Sequence, residues 1–349
     1  MKKERVISTT VLALLTALLL VTILTVPRIV RDSVFEGRDA RCAIQLGRYD
    51  DTTRGLITGY NYHLLKTLAA DEDIDIDIIL ARRGDDYTDS LKRGGIDLLI
   101  LPAAAQDSSL LSLHMDSLVW WVMRDDDPEG FEVLERWMKE FQGRSSYLKE
   151  RTLFLDVFNN PYNVVRAGIV REHLSPYDSL FRHWADTLGW DWRLLAAVAY
   201  QESKFRIDAR SHMGARGLMQ IMESTGKRFS LEDPYDPGES VRVGARYLKR
   251  LQDMFMSQAR TREDLRKFSL AAYNAGQGSI KNCIHYAQYA GIESDTWESI
   301  KDNVLPLFAK GDTVCLGDSV RYPPFRVSET LNYVEDIYSL YAAFSRIVE

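Results

Sequence analysis

The sequence predicts an α+β multidomain protein with an apolar N-terminal helix, a small α/β lobe and a mostly helical C-terminal domain. Three observations support this. Residues 6–27 carry no charged side chain. Strand-like and helix-like patterns alternate from about residue 41 to residue 159, and from Tyr177 onward the apolar spacing is helical almost throughout. A chain of 349 residues has room for two domains and an extra segment.

Composition narrows the possible functions. Hydrophobic residues make up 46% of the chain and charged residues 27%, as in a globular protein with a real core. The net charge of -6 gives no basic footprint, so nucleic acid is not an expected partner. Three cysteines are too few for a disulfide-framed scaffold. Neither a metal nor a cofactor is expected.

Residues 1–30 are expected to be a membrane anchor or a signal segment. An uncharged run of 22 residues follows Lys2, Lys3 and Arg5, and at about 1.5 Å per residue it just crosses a hydrocarbon core about 30 Å thick. The alternative is a cleaved signal peptide, although no small-x-small cleavage site follows the run. The expected location is therefore the cell envelope, with the chain anchored in the inner membrane and its domains in the periplasm. Cleavage would instead give a secreted or outer-membrane-associated protein.

Residues 36–159 are expected to form the α/β lobe. Alternation of strands and helices predicts a small, mostly parallel sheet. The predicted strands are Cys42–Leu46, Ile74–Ile78, Ile96–Leu101 and Leu118–Met123, and the predicted helices are Tyr60–Ala70, Asp89–Arg93 and Phe131–Phe141.

Residues 175–349 are expected to form a compact helical domain of lysozyme size. A linker or joining helix at residues 160–177 precedes it, where Pro161 and Pro176 limit regular structure. Gly276 is well placed to cap one of the helices at its C-terminus. One predicted helix has a face shared by Leu180, Trp184 and Leu188. Further helices are predicted at residues 241–254, 266–275 and 329–347.

The stretch from residue 190 to residue 226 carries the main candidate for chemistry. Leu195, Val198 and Glu202 lie on one face of a predicted helix, so an acidic residue continues the stripe that otherwise faces the core. A loop with Ser and Gly follows, and then a second short helical run at 217–221. Glu202 is either a solvated residue at a frayed helix end or a carboxyl group on the floor of a cleft.

Four segments in this half of the chain carry a specific resemblance. They are Glu202-Ser203, Gly217-Leu218-Met219-Gln220-Ile221, Ala272-Tyr273-Asn274-Ala275-Gly276, and Tyr333 within Glu329-Thr330-Leu331-Asn332-Tyr333-Val334. In this order they resemble the catalytic domain of lytic transglycosylases of the soluble-lytic-transglycosylase type, which share a goose-type lysozyme fold.

The N-terminal lobe carries a second resemblance. The runs 59–65 and 94–98 resemble the first lobe of periplasmic solute-binding proteins, but residues 101–118 are too few for that family's second lobe. Such proteins bind ligands between two closing lobes, so a scaffold or docking role is expected for this truncated lobe. With both resemblances, the chain is most similar to the membrane-bound lytic transglycosylase F group.

The sequence departs from the family pattern at three places. Arg206-Ile207 stand where Asn-Pro is usual, Glu223 replaces a usual Pro, and Ser240 replaces a usual Asn. These departures bear on substrate binding and leave the acidic residue in place.

The chemistry of a single carboxyl group is consistent with this resemblance. Cleavage of a glycosidic bond needs a proton for the leaving oxygen, and apolar surroundings keep a carboxyl protonated near neutral pH. Most glycosidases use a second carboxylate, but Asp208 and Glu223 have no role in the motifs. The resemblance implies that the muramyl 6-hydroxyl attacks its own C1. Glu202 would then act as acid and afterwards as base, leaving a 1,6-anhydro end.

The resemblance also implies supporting roles for the other motif residues. Tyr333 would hold the carboxyl of Glu202, and Gln220 and Asn274 would bind sugar hydroxyls or acetamido groups. Tyr273 would line the cleft or serve only as a core aromatic residue. Ser203 would stabilise the turn or the oxocarbenium-like centre, or serve only as the end of a helix.

Three functions remain open from the sequence. The first is a peptidoglycan lytic transglycosylase, which would bind glycan strands as its partner and the membrane through its N-terminal helix. The second is a hydrolytic muramidase on the same fold, which the missing second acid disfavours. The third is a non-enzymatic wall- or solute-sensing protein.

Two cysteines offer a possible cross-link in the helical domain. Cys283 lies on a predicted helix, and Cys315 lies in the irregular segment before Tyr333. Outside the cytoplasm they could form a disulfide, and the alternative is two unrelated buried thiols.

Overall fold

The computed structural model describes residues 35, 39–47, 56–82, 84–116, 118–156, 160–309, 314–316 and 320–348. They fall into two compact units, one within residues 1–49 and 61–147, the other within residues 50–60 and 148–349. The predicted membrane segment, residues 1–30, lies outside the described residues. Within the described part of the chain, no helix has the length and apolar character to cross a bilayer.

The first unit contains a five-stranded mixed sheet. Its strands are β1 (Ala40–Ile44), β2 (Ile76–Leu80), β3 (Leu98–Leu101), β4 (Leu110–Met115) and β5 (Val119–Arg124), in the order β2-β1-β3-β5-β4. β1 pairs in parallel with β2 and β3, whereas β5 pairs antiparallel with β3 and β4. The prediction of a mostly parallel sheet is therefore wrong for the half of the sheet that β3, β5 and β4 form.

The physical reason is a hairpin. β4 was not predicted, and it turns directly into β5, with Met115 paired to Val119. A short connection of this kind can only join antiparallel strands. The predicted strand Ile74–Ile78 is found two residues later, at Ile76–Leu80, so the same alternate side chains still share a face.

Helices cover both faces of this sheet. They are α1 (Ile57–Asp71), α2 (Thr88–Lys92) and α3 (Pro128–Gln142). On one face Leu91 of α2 packs in a buried cluster with Leu99 and Val122. On the other, Trp137 of α3 stacks on Trp121 of β5 with 6.2 Å between ring centroids. The three helices that the pattern predicted here are confirmed, with ends that differ by a few residues.

The second unit is almost entirely helical. Its helices are α4 (Tyr147–Leu155), α5 (Pro161–Arg166), α6 (Asp178–Leu188), α7 (Trp192–Ser203), α8 (Glu223–Arg228), α9 (Pro237–Phe255), α10 (Arg262–Ala275), α11 (Gln277–Ala290), α12 (Trp297–Ser299), α13 (Leu305–Phe308) and α14 (Val327–Ile347). A π-helical stretch, Ile300–Val304, joins α12 to α13, and the strands β6 (Val314–Leu316) and β7 (Val320–Tyr322) form a small hairpin.

The helices of this unit pack around α7. α7 contacts α6 and α14, and α10 contacts α9 and α14. The predicted helices at 241–254, 266–275 and 329–347 are confirmed as parts of α9, α10 and α14, and Gly276 caps α10 with φ of +84°. The middle of α7, residues 194–200, is entirely buried, so this helix lies in the core of the unit.

The cysteine arrangement differs from both predicted alternatives. Cys283 is a buried free thiol on α11, so it forms no disulfide with Cys315. Burial raises the pKa of Cys283 to about 12. Cys315 lies on β6 and is exposed, so the two residues are not a pair of buried thiols.

Candidate active site

Glu202 lies in the last turn of α7, next to a backbone turn that is unusual for its residue types. Lys204 and Phe205 both adopt positive φ values, +55° and +64°, without being glycine. The Lys204 amide donates to the Tyr200 carbonyl at 2.8 Å and closes the helix. Phe205 is fully buried and contacts the rings of Phe181, Tyr200 and Phe344. This packing supports a strained turn directly after the acidic residue.

The environment of Glu202 keeps a proton on its carboxyl. Burial raises the pKa of Glu202 to about 7, against opposing effects of a hydrogen bond from Tyr333 and the charge of Lys204. The Tyr333 hydroxyl donates to Glu202 Oε1 at 2.5 Å. Among the described residues no other group donates a hydrogen bond to this carboxyl. Its second oxygen is therefore available to a ligand.

Two tyrosines stand beside the carboxyl. Tyr333 is buried on α14, and Tyr273 on α10 donates its hydroxyl to the Met219 carbonyl at 2.8 Å. Burial, and then the nearby charge of Glu202, raises the pKa of both phenols well above 10. Both tyrosines therefore stay neutral and keep their hydroxyl protons as donors at any ordinary pH.

The second motif is a tight turn, so the prediction of a helical run at 217–221 is wrong. Arg216 and Ile221 exchange two backbone hydrogen bonds of 3.1 and 2.9 Å around the four residues between them. Gly217 has φ of +75°, and a Cβ there would lie 1.9 Å from the Pro234 carbonyl oxygen. Only glycine permits this approach, and the contact with Pro234 decides the local conformation.

The polar side chains of the motifs bond first to the protein. Gln220, which has φ of +48°, donates its amide to the carbonyls of Ala209 and Gly217, both at 3.0 Å. Ser203 is buried and donates to the Ala199 carbonyl at 3.0 Å, as a hydroxyl at a helix end does. Gln220 thus holds the motif turn, and Ser203 holds the end of α7.

Asn274 is joined to the helix that carries Tyr333. The Thr330 hydroxyl donates to Asn274 Oδ1 at 2.9 Å, and Thr330 lies one turn before Tyr333 on α14. The structure thus brings together Glu202, Tyr333 and Tyr273, with Asn274 alongside. Among the described residues, no hydrogen bond or ion pair joins Gln220 to Glu202. Gln220 follows Met219 in the turn, and the Met219 carbonyl accepts from Tyr273.

Two residues outside the predicted set hold this arrangement. Ser240 is buried, and its hydroxyl accepts a hydrogen bond from the Met219 amide at 3.1 Å. Gly244 lies so close to Met219 that a Cβ would be 2.8 Å from its side chain. In the sequence, Ser240 is marked by its departure from the family pattern, which usually has Asn at this position. No sequence signal marked Gly244, because its closeness to Met219 depends on tertiary packing.

The other departures form local ion pairs. Arg206 pairs with Asp208 at 2.9 Å, and Glu223 pairs with Lys227 at 2.6 Å on α8. Neither acid hydrogen-bonds to Glu202 or acts on its pKa among the described residues. The described residues therefore offer one carboxyl with a pKa of about 7 and place no second carboxylate in contact with it.

One protein-family model and several curated proteins are similar to this chain. Residues 179–295 match the family model described as the transglycosylase SLT domain. The match includes three of the four motifs. The resemblance to the membrane-bound lytic transglycosylase F group is confirmed.

Several curated relatives carry the name membrane-bound lytic murein transglycosylase F. The chain is 31% identical to the one from Alcanivorax borkumensis, with 64% of this chain and 48% of the relative covered. It is 36% identical to the one from Marinobacter nauticus, with coverage of 52% and 35%, and 32% identical to the one from Aeromonas salmonicida, with coverage of 66% and 46%. The chain thus spans less than half the length of these curated relatives.

Among solved structures, the chain is similar to the 70 kDa soluble lytic transglycosylase of Escherichia coli. The two are 22% identical, 63% of this chain and 27% of that chain are covered, and the TM-score is 0.36.

Proposed function

We propose that this protein is a peptidoglycan lytic transglycosylase, which cleaves the β-1,4 bond between MurNAc and GlcNAc without water and leaves 1,6-anhydro-MurNAc ends. The observation that carries the proposal is the carboxyl of Glu202, which has a pKa of about 7 and, among the described residues, a single hydrogen-bond donor, Tyr333. A carboxyl with this pKa can both give and take a proton near neutral pH.

The proposed reaction uses Glu202 twice. Its protonated carboxyl gives a proton to the glycosidic oxygen as the bond to C1 breaks. The 6-hydroxyl of the same MurNAc then attacks C1, and the Glu202 carboxylate takes the hydroxyl proton. The proton gained in the second step replaces the one lost in the first, so the enzyme ends as it began.

The other motif residues support this reaction in the proposal. Tyr333 orients the carboxyl through its hydrogen bond, and Tyr273 lines the cleft beside it. Asn274 binds sugar hydroxyl or acetamido groups. Gln220 and Ser203 act through the backbone segments that they hold.

The test is a product analysis of digested sacculi by mass spectrometry. Anhydro-muropeptides are the expected product. Reducing muropeptides would instead show a hydrolytic muramidase, and the absence of any released muropeptide would indicate a non-enzymatic wall- or solute-sensing protein. The Glu202→Gln chain is the matched control, and it is expected to release nothing.

The proposal extends to the rest of the chain. Residues 1–30 anchor it in the inner membrane, and the catalytic domain, residues 175–349, acts in the periplasm. Residues 36–159 form a truncated solute-binding-like lobe that serves as a scaffold or docking module. Intact-mass analysis of the purified membrane fraction tests the anchor, since loss of the first 30 residues would establish a cleaved signal peptide.

A further inference from the structure

A cavity of about 470 Å³ opens on the helical unit between α6, α8 and α9. Its lining is strongly basic, although the whole protein carries a net charge of -6. The charged residues of the lining are Arg228, Arg242, Arg246, Lys249, Arg250 and Asp253. Five cations against one acid in a concave site favour a negatively charged ligand.

Only part of this positive charge is used within the protein. Arg242 pairs with Glu239 at 2.7 Å, and Lys249 pairs with Asp253 at 2.5 Å. Arg228, Arg246 and Arg250 form no ion pair with any residue that the structure describes. Three guanidinium groups without a partner match the planar geometry of carboxylates, which they can bind through two hydrogen bonds each.

The cavity is connected to the candidate active site through aromatic rings. Phe229 lines the cavity and contacts Tyr247 with 6.3 Å between ring centroids. Tyr247 in turn contacts Tyr273 at 5.3 Å. Tyr273 stands close enough to Glu202 for the charge of that carboxyl to raise its pKa, after the larger effect of burial. Two ring contacts thus separate the cavity from the residues around Glu202.

We propose that this cavity binds the free carboxylates of the peptide stems carried by a peptidoglycan strand. This inference rests on the proposed function, and it adds a preference for strands that bear stems over bare glycan. A stem hangs from the sugar that the active site would hold, and a four-residue peptide in extended form spans about 13 Å. This length is comparable with the two ring-centroid separations, 6.3 and 5.3 Å, that lead from Tyr273 through Tyr247 to Phe229 in the cavity lining.

The test compares kcat/KM on stem-bearing strands with kcat/KM on strands stripped of stems by an amidase. The variant chain carries Arg228→Gln, Arg246→Gln and Arg250→Gln. The matched control carries Lys149→Gln, Arg166→Gln and Arg346→Gln, which remove the same charge from exposed positions outside the cavity.

The unsubstituted chain and the control are expected to prefer stem-bearing strands by about tenfold, the equivalent of one charge-assisted hydrogen bond. In the cavity variant this preference disappears through a higher KM for stem-bearing strands. Cleavage of stripped strands reports that the variant is folded. Since the interaction is electrostatic and partly exposed, added salt is expected to weaken the preference of the unsubstituted chain.

Three results overturn the inference: no preference in the unsubstituted chain, a preference that survives in the cavity variant, or an equal loss in the control. Anionic lipid vesicles provide a further arm, because lipid phosphates share the charge of stem carboxylates. Vesicle binding that the cavity variant loses while it keeps the stem preference would assign the cavity to lipid and overturn the inference.

Failure of the proposed function is distinguishable from failure of this inference. If the unsubstituted chain cleaves neither substrate, co-sedimentation of the chain with stem-bearing and stripped strands measures binding directly. Equal binding of both strands would then overturn the stem site as well, and a preference that depends on the three arginines would sustain it.

Discussion

The helical unit contains two carboxyl groups whose pKa values are raised by burial, Asp178 at the start of α6 and Glu202 at the end of α7. The two groups differ in the hydrogen bonds that they accept. Asp178 accepts from the amides of Leu174 and Ser175 at 2.7 and 2.9 Å, and from the Ser175 hydroxyl at 2.8 Å. Glu202 accepts from the Tyr333 hydroxyl alone among the described residues.

The two carboxyls therefore differ in how far their oxygens are committed to hydrogen bonds within the protein. The donors of Asp178 come from the residues just before it, so its oxygens are committed to the backbone that leads into α6. The single donor of Glu202 comes from α14, 131 residues away in the chain. Burial with an uncommitted oxygen therefore marks a candidate catalytic acid better than burial alone does.

The largest effect expected from this comparison is on the activity of Glu202→Gln. Glutamine keeps the volume and can still accept a hydrogen bond from Tyr333, but it cannot donate the proton. We expect the rate of muropeptide release to fall by roughly 100- to 10,000-fold, the usual contribution of general-acid catalysis. Release is measured by chromatography of digested sacculi, with circular dichroism as the check on folding. A variant with unsubstituted turnover would remove Glu202 from the mechanism.

Asp178→Ala is expected to reduce stability and leave the chemistry intact. It leaves three buried donors without a partner, which lowers the free energy of unfolding by about 2 to 4 kcal/mol. Urea unfolding at pH 7 measures the change, and kcat of the folded fraction is expected to stay within about twofold. Asp178→Asn keeps one acceptor, so its free energy of unfolding should lie between those of Asp178→Ala and the unsubstituted chain. Equal stability of all three chains would contradict the structural role.

Glu202→Gln is expected to raise the stability of the protein above pH 4, whereas Asp178→Ala lowers it. The folded pKa of about 7 lies above the usual 4.5, so the folded state binds more protons than the unfolded state between these values. The stability of the unsubstituted chain therefore falls as pH rises through this range, by at most about 3 kcal/mol. Glutamine does not titrate. The variant should match the unsubstituted chain near pH 4 and exceed it at pH 8 in urea unfolding. A constant difference at all pH values would argue against the raised pKa.

Tyr333→Phe tests the hydrogen bond that the Glu202 carboxyl accepts from Tyr333. The bond favours the carboxylate, so its loss should raise the pKa of Glu202 and move the alkaline limb of the rate profile to higher pH. We also expect kcat to fall by about tenfold, because the carboxyl loses the group that orients it. A pH–rate series measures both. Loss of rate without movement of the limb would mean that Tyr333 acts only through packing.

Lys204→Gln should give the smallest change. Lys204 lowers the pKa of Glu202 through its charge, so its removal should move the alkaline limb in the same direction as Tyr333→Phe. Because Lys204 is exposed, the effect is expected to be about twofold in rate at pH 8, with the rate below pH 6 unchanged. A shift to lower pH would show that another charge controls Glu202.

Local patterns predicted the helices well, because amphipathic spacing is a property of each segment by itself. α9, α10 and α14 were found where the spacing placed them. Features that depend on distant contacts were not found this way. Because β4 pairs with β5 in a hairpin, half of the sheet is antiparallel where a mostly parallel sheet was predicted. Because Pro234 closely approaches Gly217, residues 217–221 form a tight turn where a helical run was predicted.

The candidate site shows the same division. The spacing of Leu195, Val198 and Glu202 placed the acid on the inner face of α7, but only the family resemblance connected it with Tyr333. The basic cavity was not predicted from the composition, because the net charge of the whole chain is negative. Its spacing was nevertheless visible, since Arg242, Arg246, Lys249 and Asp253 recur every three or four residues along α9.

The turn at Gly217 has a consequence for how this fold can diversify. The glycine is required because two stretches of backbone meet there, with the Pro234 carbonyl filling the space of a side chain. A requirement of this kind does not depend on any bound ligand. The exposed residues Met213 and Met222 can therefore be replaced while the contact between Gly217 and Pro234 stays fixed.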